Sequence, residues 1–269
     1  MIAGASRVFA LLGDPIEHSL SPVMQNAAFH VLGLPAVYVA LRCAAADVPA
    51  LIRSLVRSNG GGNVTVPHKE VALGALDRCS GLAEAVGACN TFWAHADDSG
   101  AVGDNTDVPG FLAALDRLEP PAGPWLIAGT GGGARAAVIA ARERRTAVAV
   151  LSRSDDRRSC FEEWIASAGV SLASAAECRV LVNTTPQGLR PNDPMPIDRA
   201  AAPDAAVAFD MVYRRGETAW VRAMRAAGLR AADGREMLVA QGALALERWF
   251  PNERAPVEVM RAAVVAGLR

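Results

Sequence analysis

Short apolar runs alternate with amphipathic stretches along the chain. The first run, Arg7–Gly13, stops at Gly-Asp-Pro, which predicts a buried strand followed by a turn. Ser21 and Pro22 then predict a helix start, with Ser21 as the N-cap and Pro22 in the first helical position. The buried face of this helix is predicted from apolar residues at helical spacing, namely Val23, Met24, Ala27, Ala28 and Val31.

The alternation continues in both halves of the chain. A first series is predicted to contain a strand, a helix and a strand, at 36–41, 48–58 and 63–66, with the three glycines at 60–62 as a break. A Pro-rich connection then precedes a second series, with strands at 125–128, 147–151, 180–183 and 206–211 and a helix at 237–246. The βαβ order favours parallel strands, so we predict an α/β protein with two domains.

Net charge, apolar run length and cysteine spacing limit the kinds of partner and cofactor that we expect. The 269 residues carry a formal net charge of −1, so we expect a small-molecule substrate and neither nucleic acid nor a membrane as partner. The apolar runs are shorter than the roughly 18 residues of a membrane span, and no basic, cleavable leader is present, so a cytoplasmic protein is expected. The cysteines lack zinc-type spacing, so we expect reduced thiols and no metal: Cys43, Cys79, Cys89, Cys160 and Cys178.

A glycine-rich segment joins the strand predicted at 125–128 to an alanine-rich helix expected to start near Ala134. Its sequence, G-T-G-G-G-A, fits the G-x-G-x-x-G/A pattern of dinucleotide-binding loops. Residues without a Cβ let the backbone approach a pyrophosphate, and free N–H groups at the helix start face the anion. A glycine-rich turn without a ligand is the alternative. The predicted cofactor loop consists of Gly129, Gly131, Gly132, Gly133 and Ala134.

The residues after the next strand bear on the choice of cofactor. NAD-binding domains usually place Asp or Glu there, on the ribose 2′-hydroxyl, whereas this chain has Ser-Arg-Ser followed by two Asp and two Arg. Guanidinium groups favour a 2′-phosphate, so NADP is predicted over NAD, although the two aspartates oppose this preference. An arginine-rich solvated surface is the alternative. The predicted 2′-phosphate site consists of Ser152, Arg153, Ser154 and Arg157.

Three polar clusters follow apolar runs in the first half of the chain: H-S-L-S-P at 18–22, N-V-T-V-P-H-K at 63–69 and G-D-N-T-D at 103–107. Their groups suit a small polyhydroxylated acid. Lys69 and Asp107 are the predicted acid/base pair, because a carboxylate orients an ammonium for proton transfer to a carbonyl. Lys69 is expected at a sheet edge rather than on a helix. Singly, such a lysine is usually solvated and such an aspartate usually caps a turn or helix.

The motifs together resemble the shikimate dehydrogenase family. The clusters and the glycine loop occur in the family's order, together with A-C-N-T at 88–91, N-T-T-P-Q-G at 183–188, D-M-V-Y at 210–213 and M-L-V-A-Q at 237–241. The resemblance implies reversible NADP-linked reduction of 3-dehydroshikimate to shikimate, a step of aromatic amino acid biosynthesis. We accordingly predict a discontinuous α/β substrate domain, 1–106 completed by 238–269, and a Rossmann-like NADP domain, 107–237, with the active site in the cleft between them.

The family pattern also implies roles for single residues. It assigns Ser19 and Ser21, with Tyr213, to the substrate carboxylate. It assigns Thr65, Asn90 and Gln241 to ring hydroxyls. It makes Lys69, paired with Asp107, the group that moves the proton. Taken singly, each substrate residue has a plain structural alternative as a turn, cap, half-buried or surface residue.

Three positions depart from the commonest family pattern. His68 replaces the usual Phe, Cys89 the usual Val, and Ser152 the Asn that begins the N-R-T motif. The first two flank Lys69 and Asn90, so we expect an altered environment for the lysine.

Ser21, where quinate-favouring members have Thr, favours shikimate as substrate. Three rival functions stay open: the same fold acting on quinate or an aminated analogue, a non-catalytic NADP- or shikimate-binding regulator, and a tetrahydrofolate dehydrogenase of related fold. Monomer and homodimer are both compatible with the sequence.

Overall fold

The computed structural model describes residues 6–97, 100–190 and 192–268. The chain divides into two compact units, one made of Met1–Asp107 and Leu238–Gly267, the other of Val108–Met237. Residues 1–5, 98–99 and 269 of the predicted substrate domain, and residue 191 of the predicted NADP domain, lie outside the described residues. Among the residues that are described, no helix is long and apolar enough to span a membrane.

Strands and helices alternate in both units. The strands are β1 (Arg7–Gly13), β2 (Ala36–Arg42), β3 (Gly61–Val64), β4 (Arg78–Cys79), β5 (Thr91–Ala94), β6 (Ala101–Asp104), β7 (Trp125–Ala128), β8 (Val148–Leu151), β9 (Val180–Asn183), β10 (Val207–Asp210) and β11 (Arg230–Ala232). The helices are α1 (Ser21–Val31), α2 (Val48–Arg57), α3 (Lys69–Leu73), α4 (Gly81–Val86), α5 (Asp107–Asp116), α6 (Gly132–Glu143), α7 (Asp155–Ser167), α8 (Ala219–Ala226), α9 (Arg235–Trp249) and α10 (Val257–Gly267). The predicted α/β class is confirmed.

The sheet of the first unit is mixed rather than all parallel. Its described strands lie in the order β2-β1-β3-β5-β6-β4. β1 is parallel to both β2 and β3, as the βαβ order predicts, but β5 pairs antiparallel with β3 and β6. The sequence pattern does not predict β4, β5 or β6.

Glycines lie inside a strand of this sheet. The prediction that 60–62 form a break before a strand at 63–66 is wrong, since β3 begins at Gly61. A Cβ on Gly62 would lie 2.0 Å from the carbonyl oxygen of Ala10 on β1. The glycine therefore allows a close approach of two neighbouring backbones.

The start and the buried face of α1 both differ from the prediction. Ser21 is the first helical residue, and the N-cap is Leu20, which makes no side-chain cap. The predicted core residues Val23 and Val31 are 47% and 57% exposed. Packing against α10 and β2 buries a face that keeps the predicted Met24 and Ala28 but excludes both valines. Hydrophobicity alone does not identify this face, because apolar residues occur on both sides of the helix. That face consists of Ser21, Met24, Gln25, Ala28 and Phe29.

The C-terminal segment completes the core of the first unit. The helix predicted at 237–246 is the longer α9, which ends in Trp249. The rings of Phe9 and Trp249 have centroids 4.7 Å apart, and the Trp249 indole N–H donates to the carbonyl oxygen of Phe92 at 3.2 Å. Aromatic pairs of this kind add about 0.5–1.5 kcal/mol beyond the area they bury.

The second unit contains a parallel sheet whose described strands lie in the order β11-β10-β9-β7-β8. β7 and β9 have the predicted bounds, β8 and β10 are slightly shorter, and the short β11 is not predicted. β8 lies on one side of β7 and β9 lies on the other, so the order in which strands are added reverses at β7. Ligands of such sheets bind outside the carboxyl ends of the strands at that point. The Rossmann-like character predicted for this unit is confirmed.

A buried carboxylate, Asp210, connects the ends of β9 and β10. Its Oδ1 accepts hydrogen bonds from Asn183 Nδ2 at 2.8 Å and from the Val212 N–H at 3.1 Å, and its Oδ2 accepts one from the Thr218 hydroxyl at 2.7 Å. Burial is the largest effect and raises the pKa of Asp210 from 3.8 to about 6, against the lowering effect of these hydrogen bonds. Asp210 therefore joins the ends of β9 and β10 through hydrogen bonds, and it ionises at a higher pH than an exposed aspartate does.

Gly62→Ala is expected to lower the free energy of unfolding by about 1–3 kcal/mol, because its methyl group forces β1 and β3 apart. Gly81→Ala is the matched control: a Cβ there has nothing within 4 Å among the described residues, and Gly81 starts a helix. We expect the control to be neutral or slightly stabilising. Denaturant unfolding of both variants measures the difference, and equal stabilities would contradict the close approach.

Asp210→Asn is expected to change the pH dependence of stability. Since the folded-state pKa is above the unfolded value, the unfolded chain loses this proton first, and the parent loses stability as the pH rises from about 4 to about 6. The free energy of unfolding of the variant minus that of the parent should therefore rise by about 2 kcal/mol between pH 4 and pH 7. Denaturant titrations at several pH values measure this difference, and a flat difference would contradict the raised pKa.

Candidate active site

Lys69 and Asp107 form a partly buried ion pair. Lys69 Nζ donates to Asp107 Oδ2 at 2.6 Å, with side chains 16% and 8% exposed. The expectation that Lys69 leaves a sheet edge rather than a helix is wrong, because a turn closed by the His68 N–H and the Thr65 carbonyl starts α3 at Lys69. Low exposure strengthens the attraction between the two charges relative to a surface pair.

Lys69 is the only lysine in the chain, and every other member of the 27 Lys plus Arg residues is an arginine. A guanidinium stays protonated in proteins, whereas an ammonium exchanges its proton when its surroundings favour it. The one lysine of the chain is therefore the residue that pairs with Asp107. This compositional signal was present in the sequence, and the motif-based prediction did not use it.

The loop before α5 holds the Asp107 carboxylate in place. The Asp107 N–H donates to Asn105 Oδ1 at 3.1 Å, and Asn105 Nδ2 donates to the carbonyl oxygen of Ala88 at 2.9 Å. One residue earlier, Asp104 accepts hydrogen bonds from the Asn105 N–H at 2.7 Å and from Arg248 Nε of α9 at 3.0 Å. The carboxylate is thus presented from a loop that is fixed on two sides.

Asn90 is buried under this loop. Its Oδ1 accepts hydrogen bonds from the Thr106 N–H at 2.8 Å and from the Thr91 hydroxyl at 3.0 Å, and its Nδ2 donates to Thr106 Oγ1 at 3.1 Å. The two threonines belong to the motifs A-C-N-T and G-D-N-T-D, yet their role as partners of Asn90 was not predicted from the sequence. Contact between Asn90 and a ring hydroxyl stays a prediction.

The serine cluster and Thr65 follow neighbouring parallel strands. Ser19 Oγ accepts a hydrogen bond from the Ser21 N–H at 3.2 Å, next to the N-terminus of α1. Thr65 follows β3, and its N–H donates to the carbonyl oxygen of Leu12 on β1 at 2.8 Å. Because β1 and β3 are parallel, their carboxyl ends lie at the same edge of the sheet, and Lys69 follows that edge as well.

Two further predicted substrate residues lie on later elements. Gln241 is on α9, where its Nε2 donates to the carbonyl oxygen of Leu238 at 2.8 Å. Tyr213 follows β10 and belongs to the second unit. Their contacts with a substrate stay predictions. No cluster of His, Cys, Asp or Glu able to hold a metal ion occurs in the described part of the chain.

The glycine loop of the second unit has the backbone shape of a phosphate cradle. Gly129 follows β7 with a φ of +114°, and a Cβ there would lie 2.4 Å from Thr184 Oγ1. α6 begins at Gly132 rather than near Ala134, with Gly131 as the N-cap. The loop therefore presents unshielded backbone N–H groups at the start of a helix, which fits a pyrophosphate.

The predicted 2′-phosphate residues begin the next helix. Ser154 is the N-cap of α7 and accepts a hydrogen bond from the Arg157 N–H, while its own N–H donates to Ser152 Oγ. Arg153 and Arg157 are exposed. Arg157 lines a cleft of about 460 Å³ that also reaches Thr130 and Gly131 of the glycine loop. These groups fit the phosphates of a dinucleotide.

Comparisons with known proteins identify the family of the chain. The model of the shikimate dehydrogenase substrate binding domain matches residues 11–92, and that of the shikimate 5′-dehydrogenase C-terminal domain matches residues 234–265. The chain is 37% identical to the shikimate dehydrogenase (NADP(+)) of Methylocella silvestris, over 100% of this chain and 99% of that protein. It is 36% identical to the shikimate dehydrogenase (NADP(+)) of Microcystis aeruginosa, over 98% of each protein.

A solved structure extends the similarity to three dimensions. It is shikimate 5-dehydrogenase from Thermus thermophilus in complex with NADP(H) and shikimate, with a TM-score of 0.87 and 36% identity over 99% of this chain and 100% of that one. Full-length identity at this level, together with the two domain matches, shows that the chain belongs to the shikimate dehydrogenase family, which confirms the resemblance found in the sequence.

Proposed function

We propose that this protein catalyses the reversible, NADP-dependent reduction of 3-dehydroshikimate to shikimate, a step in the biosynthesis of aromatic amino acids. The observation that carries the proposal is the ion pair between Lys69 and Asp107, with 2.6 Å between Nζ and Oδ2. The relatives named above, which are matched over almost their whole length, carry the name shikimate dehydrogenase (NADP(+)) and support the same reaction here.

Reduction of the C3 ketone requires a hydride at carbon and a proton at oxygen. NADPH, when bound, supplies the hydride. The Lys69 ammonium donates the proton to the developing alkoxide and accepts it back in the oxidation direction. The Asp107 carboxylate orients the ammonium toward the reacting oxygen and stabilises its charged form.

Substrate binding is assigned to hydroxyl and amide groups around this pair. Ser19 and Ser21 hold the carboxylate beside the N-terminus of α1, whose partial positive charge favours an anion, and Tyr213 assists them. Thr65, Asn90 and Gln241 read the ring hydroxyls. A site built to pair with hydroxyl groups rejects substrates that lack them, because its own polar groups are then left unpaired.

The second unit is assigned to the cofactor. The loop at Gly129, Gly131, Gly132, Gly133 and Ala134 holds the pyrophosphate. Ser152, Arg153, Ser154 and Arg157 hold the 2′-phosphate. The exposure of both guanidinium groups, and the place of Arg157 in the cleft, support that role.

We also propose that the enzyme works in the cytoplasm as a monomer or homodimer. All five cysteines, each within the described residues, are free thiols, which suits a reducing compartment. Cell fractionation tests the location, and sedimentation of the purified protein distinguishes the two assemblies.

The direct test is the initial rate of reduced-nicotinamide formation with shikimate or quinate, each paired with NADP or NAD. Fast turnover confined to shikimate with NADP supports the proposal. Turnover of quinate alone would move the assignment to a quinate dehydrogenase. Cofactor binding without turnover of either acid would overturn the catalytic assignment.

Lys69→Met is expected to lower kcat by at least roughly 100-fold with a smaller effect on the KM for shikimate, because the proton donor is lost. Lys69→Arg is the matched comparison, since it keeps the positive charge but cannot release a proton near neutral pH. Steady-state kinetics of both variants separate the two roles. A nearly normal kcat for Lys69→Arg would remove proton transfer from the role of Lys69.

The lack of other lysines allows a second readout. Lysine-specific isotope labelling gives a single side-chain Nζ signal in NMR spectra, so the protonation of Lys69 is measured without ambiguity. If Lys69 is the proton donor, the midpoint of this titration in the enzyme–substrate complex should coincide with one limb of the pH profile of kcat.

Arg153→Ala is expected to raise the KM for NADP at least about tenfold and to leave the KM for NAD nearly unchanged, because only NADP carries the 2′-phosphate. Arg158→Ala is the matched control, since Arg158 pairs with Asp155 at 3.0 Å and Glu162 at 3.9 Å on its own helix. Kinetics with both cofactors measure the effect. Equal changes for NADP and NAD would place Arg153 away from the phosphate.

A further inference from the structure

His68 is a buried titratable side chain to which the proposed mechanism gives no role. It is 3% exposed and stands directly before Lys69, as the N-cap of α3. Its Nε2 lies 2.8 Å from the carbonyl oxygen of Cys43. Because a carbonyl oxygen only accepts, Nε2 carries the hydrogen and donates it. Nδ1 has no hydrogen-bond partner in the described part of the chain, so the imidazole is held there by this one hydrogen bond.

The bond to Cys43 closes a ring of contacts across three strand ends. Cys43 follows β2, and its N–H donates to the carbonyl oxygen of Gly13, the last residue of β1, at 3.3 Å. The Asp14 N–H donates to the carbonyl oxygen of Val66, in the segment after β3, at 3.1 Å. His68 belongs to that segment and bonds back to Cys43. β2, β1 and β3 are parallel neighbours in this order, so the ring joins their carboxyl ends.

Close packing inside the ring limits where the segment after β3 can lie. A Cβ on Gly13 would lie 2.4 Å from Thr65 Cγ2 and 3.2 Å from the carbonyl oxygen of Val66. The segment therefore rests directly on the end of β1. The Thr65 N–H also bonds to the carbonyl oxygen of Leu12 at 2.8 Å, which fixes the segment where it leaves β3. The His68 imidazole fixes the other end of the segment, where α3 begins.

α3 depends on contacts of this kind for its position. It has five residues, of which Lys69 is the first, and a helix this short is not stable by itself in water. The Lys69 carbonyl oxygen accepts a hydrogen bond from the Cys89 N–H, just before β5, at 2.9 Å. The His68 imidazole bonds to Cys43, just after β2. β2 and β5 lie on opposite sides of β3, so the first turn of α3 is held from two sides.

We propose that His68 is a positioning residue for proton transfer. Its bond to Cys43 fixes the first turn of α3 and so keeps Lys69 Nζ at 2.6 Å from Asp107 Oδ2. This inference rests on the proposed function. In this role His68 touches no reacting atom and transfers no proton itself. A misplacement of about 1 Å in an active site can cost up to about 100-fold in rate, so a shift of the first turn is large enough to measure.

The kinetic test compares His68→Phe with His68→Gln. Phe keeps a planar ring but has no donor, whereas Gln carries its Nε2 donor the same number of bonds from Cα as the imidazole does. With shikimate and NADP, we expect kcat to fall about tenfold in His68→Phe and to stay within about threefold of the parent in His68→Gln. Both KM values should stay within about threefold in both variants, because the bond from Thr65 to Leu12 is kept. An unchanged kcat in His68→Phe, or equal falls in both variants, would overturn the proposal.

A second readout reports on Lys69 without any turnover. The single lysine Nζ signal is titrated in the parent and in both variants. The midpoint should be lower in His68→Phe than in the parent, because an ammonium farther from the Asp107 carboxylate is less stabilised, and His68→Gln should restore it. Identical midpoints in His68→Phe and the parent would overturn the proposal whatever the kinetics. If the parent turns over neither shikimate nor quinate, the proposed function fails, and this titration still tests His68.

Cys43→Ala is the matched control at the other end of the bond. The acceptor is the main-chain carbonyl oxygen, which this substitution retains. The kinetic constants and the Lys69 titration should therefore stay at the parental values. If Cys43→Ala behaves like His68→Phe, side-chain packing rather than the hydrogen bond positions α3, and the proposal fails.

Asn26→Ala controls for a general loss of stability in the same unit. The Asn26 amide bonds to backbone, donating to the carbonyl oxygens of Pro22 and Tyr38 and accepting from the Tyr38 N–H. Its loss should lower the melting temperature without moving the Lys69 titration. If His68 has a merely structural role, His68→Phe will behave like this control. His68→Met is the second variant without a donor if His68→Phe does not fold.

Discussion

The hydrogen bonds around Thr106 hold the Asp107 carboxylate beside Lys69. Asn90 and Thr106 exchange three hydrogen bonds, and Asn105 joins the same loop to the backbone at Ala88. Every bond in this group is buried, so the loss of one partner leaves another polar atom without water or protein to bond. The position of the ion pair therefore depends on a satisfied polar network and only secondarily on the attraction between the two charges.

Residues near the C-terminal end of the chain also bond to the segments that carry this network. Arg248 on α9 bonds to Asp104 across 144 residues of sequence, and Trp249 bonds to the carbonyl oxygen of Phe92 across 157 residues. The same helix carries Gln241 and receives the Gln25 amide at Gly242. The C-terminal segment thus supplies part of the core and part of the candidate site of the first unit. We expect changes in the packing of α9 to alter the position of the loop before Asp107 as well as the stability of the unit.

Glycines serve different purposes in the two units. Gly62 allows two strands to approach each other where a methyl group would collide with the Ala10 backbone. Gly129 instead adopts a φ of +114° after β7, and Gly131 caps a helix with nothing near its missing Cβ among the described residues. The first kind makes the core of the substrate unit, and the second leaves backbone N–H groups available to an anion. The position of the second kind between a strand and a helix predicts a phosphate-binding loop, whereas the close approach of two strands leaves no local pattern, so the sequence favours a break at 60–62.

The sequence by itself determined the chemical groups of the site and the longer local elements. Strands at 125–128 and 180–183 follow from apolar runs bounded by turn residues, and the polar motifs contain the single lysine of the chain. Tertiary structure decided which groups meet and which faces are buried. Lys69 and Asp107 are 38 residues apart and pair only because β3, β5 and β6 are neighbours in a mixed sheet. Periodicity reports burial along one segment, whereas the order of strands and the partner of each helix depend on contacts between segments distant in sequence, which no local pattern encodes.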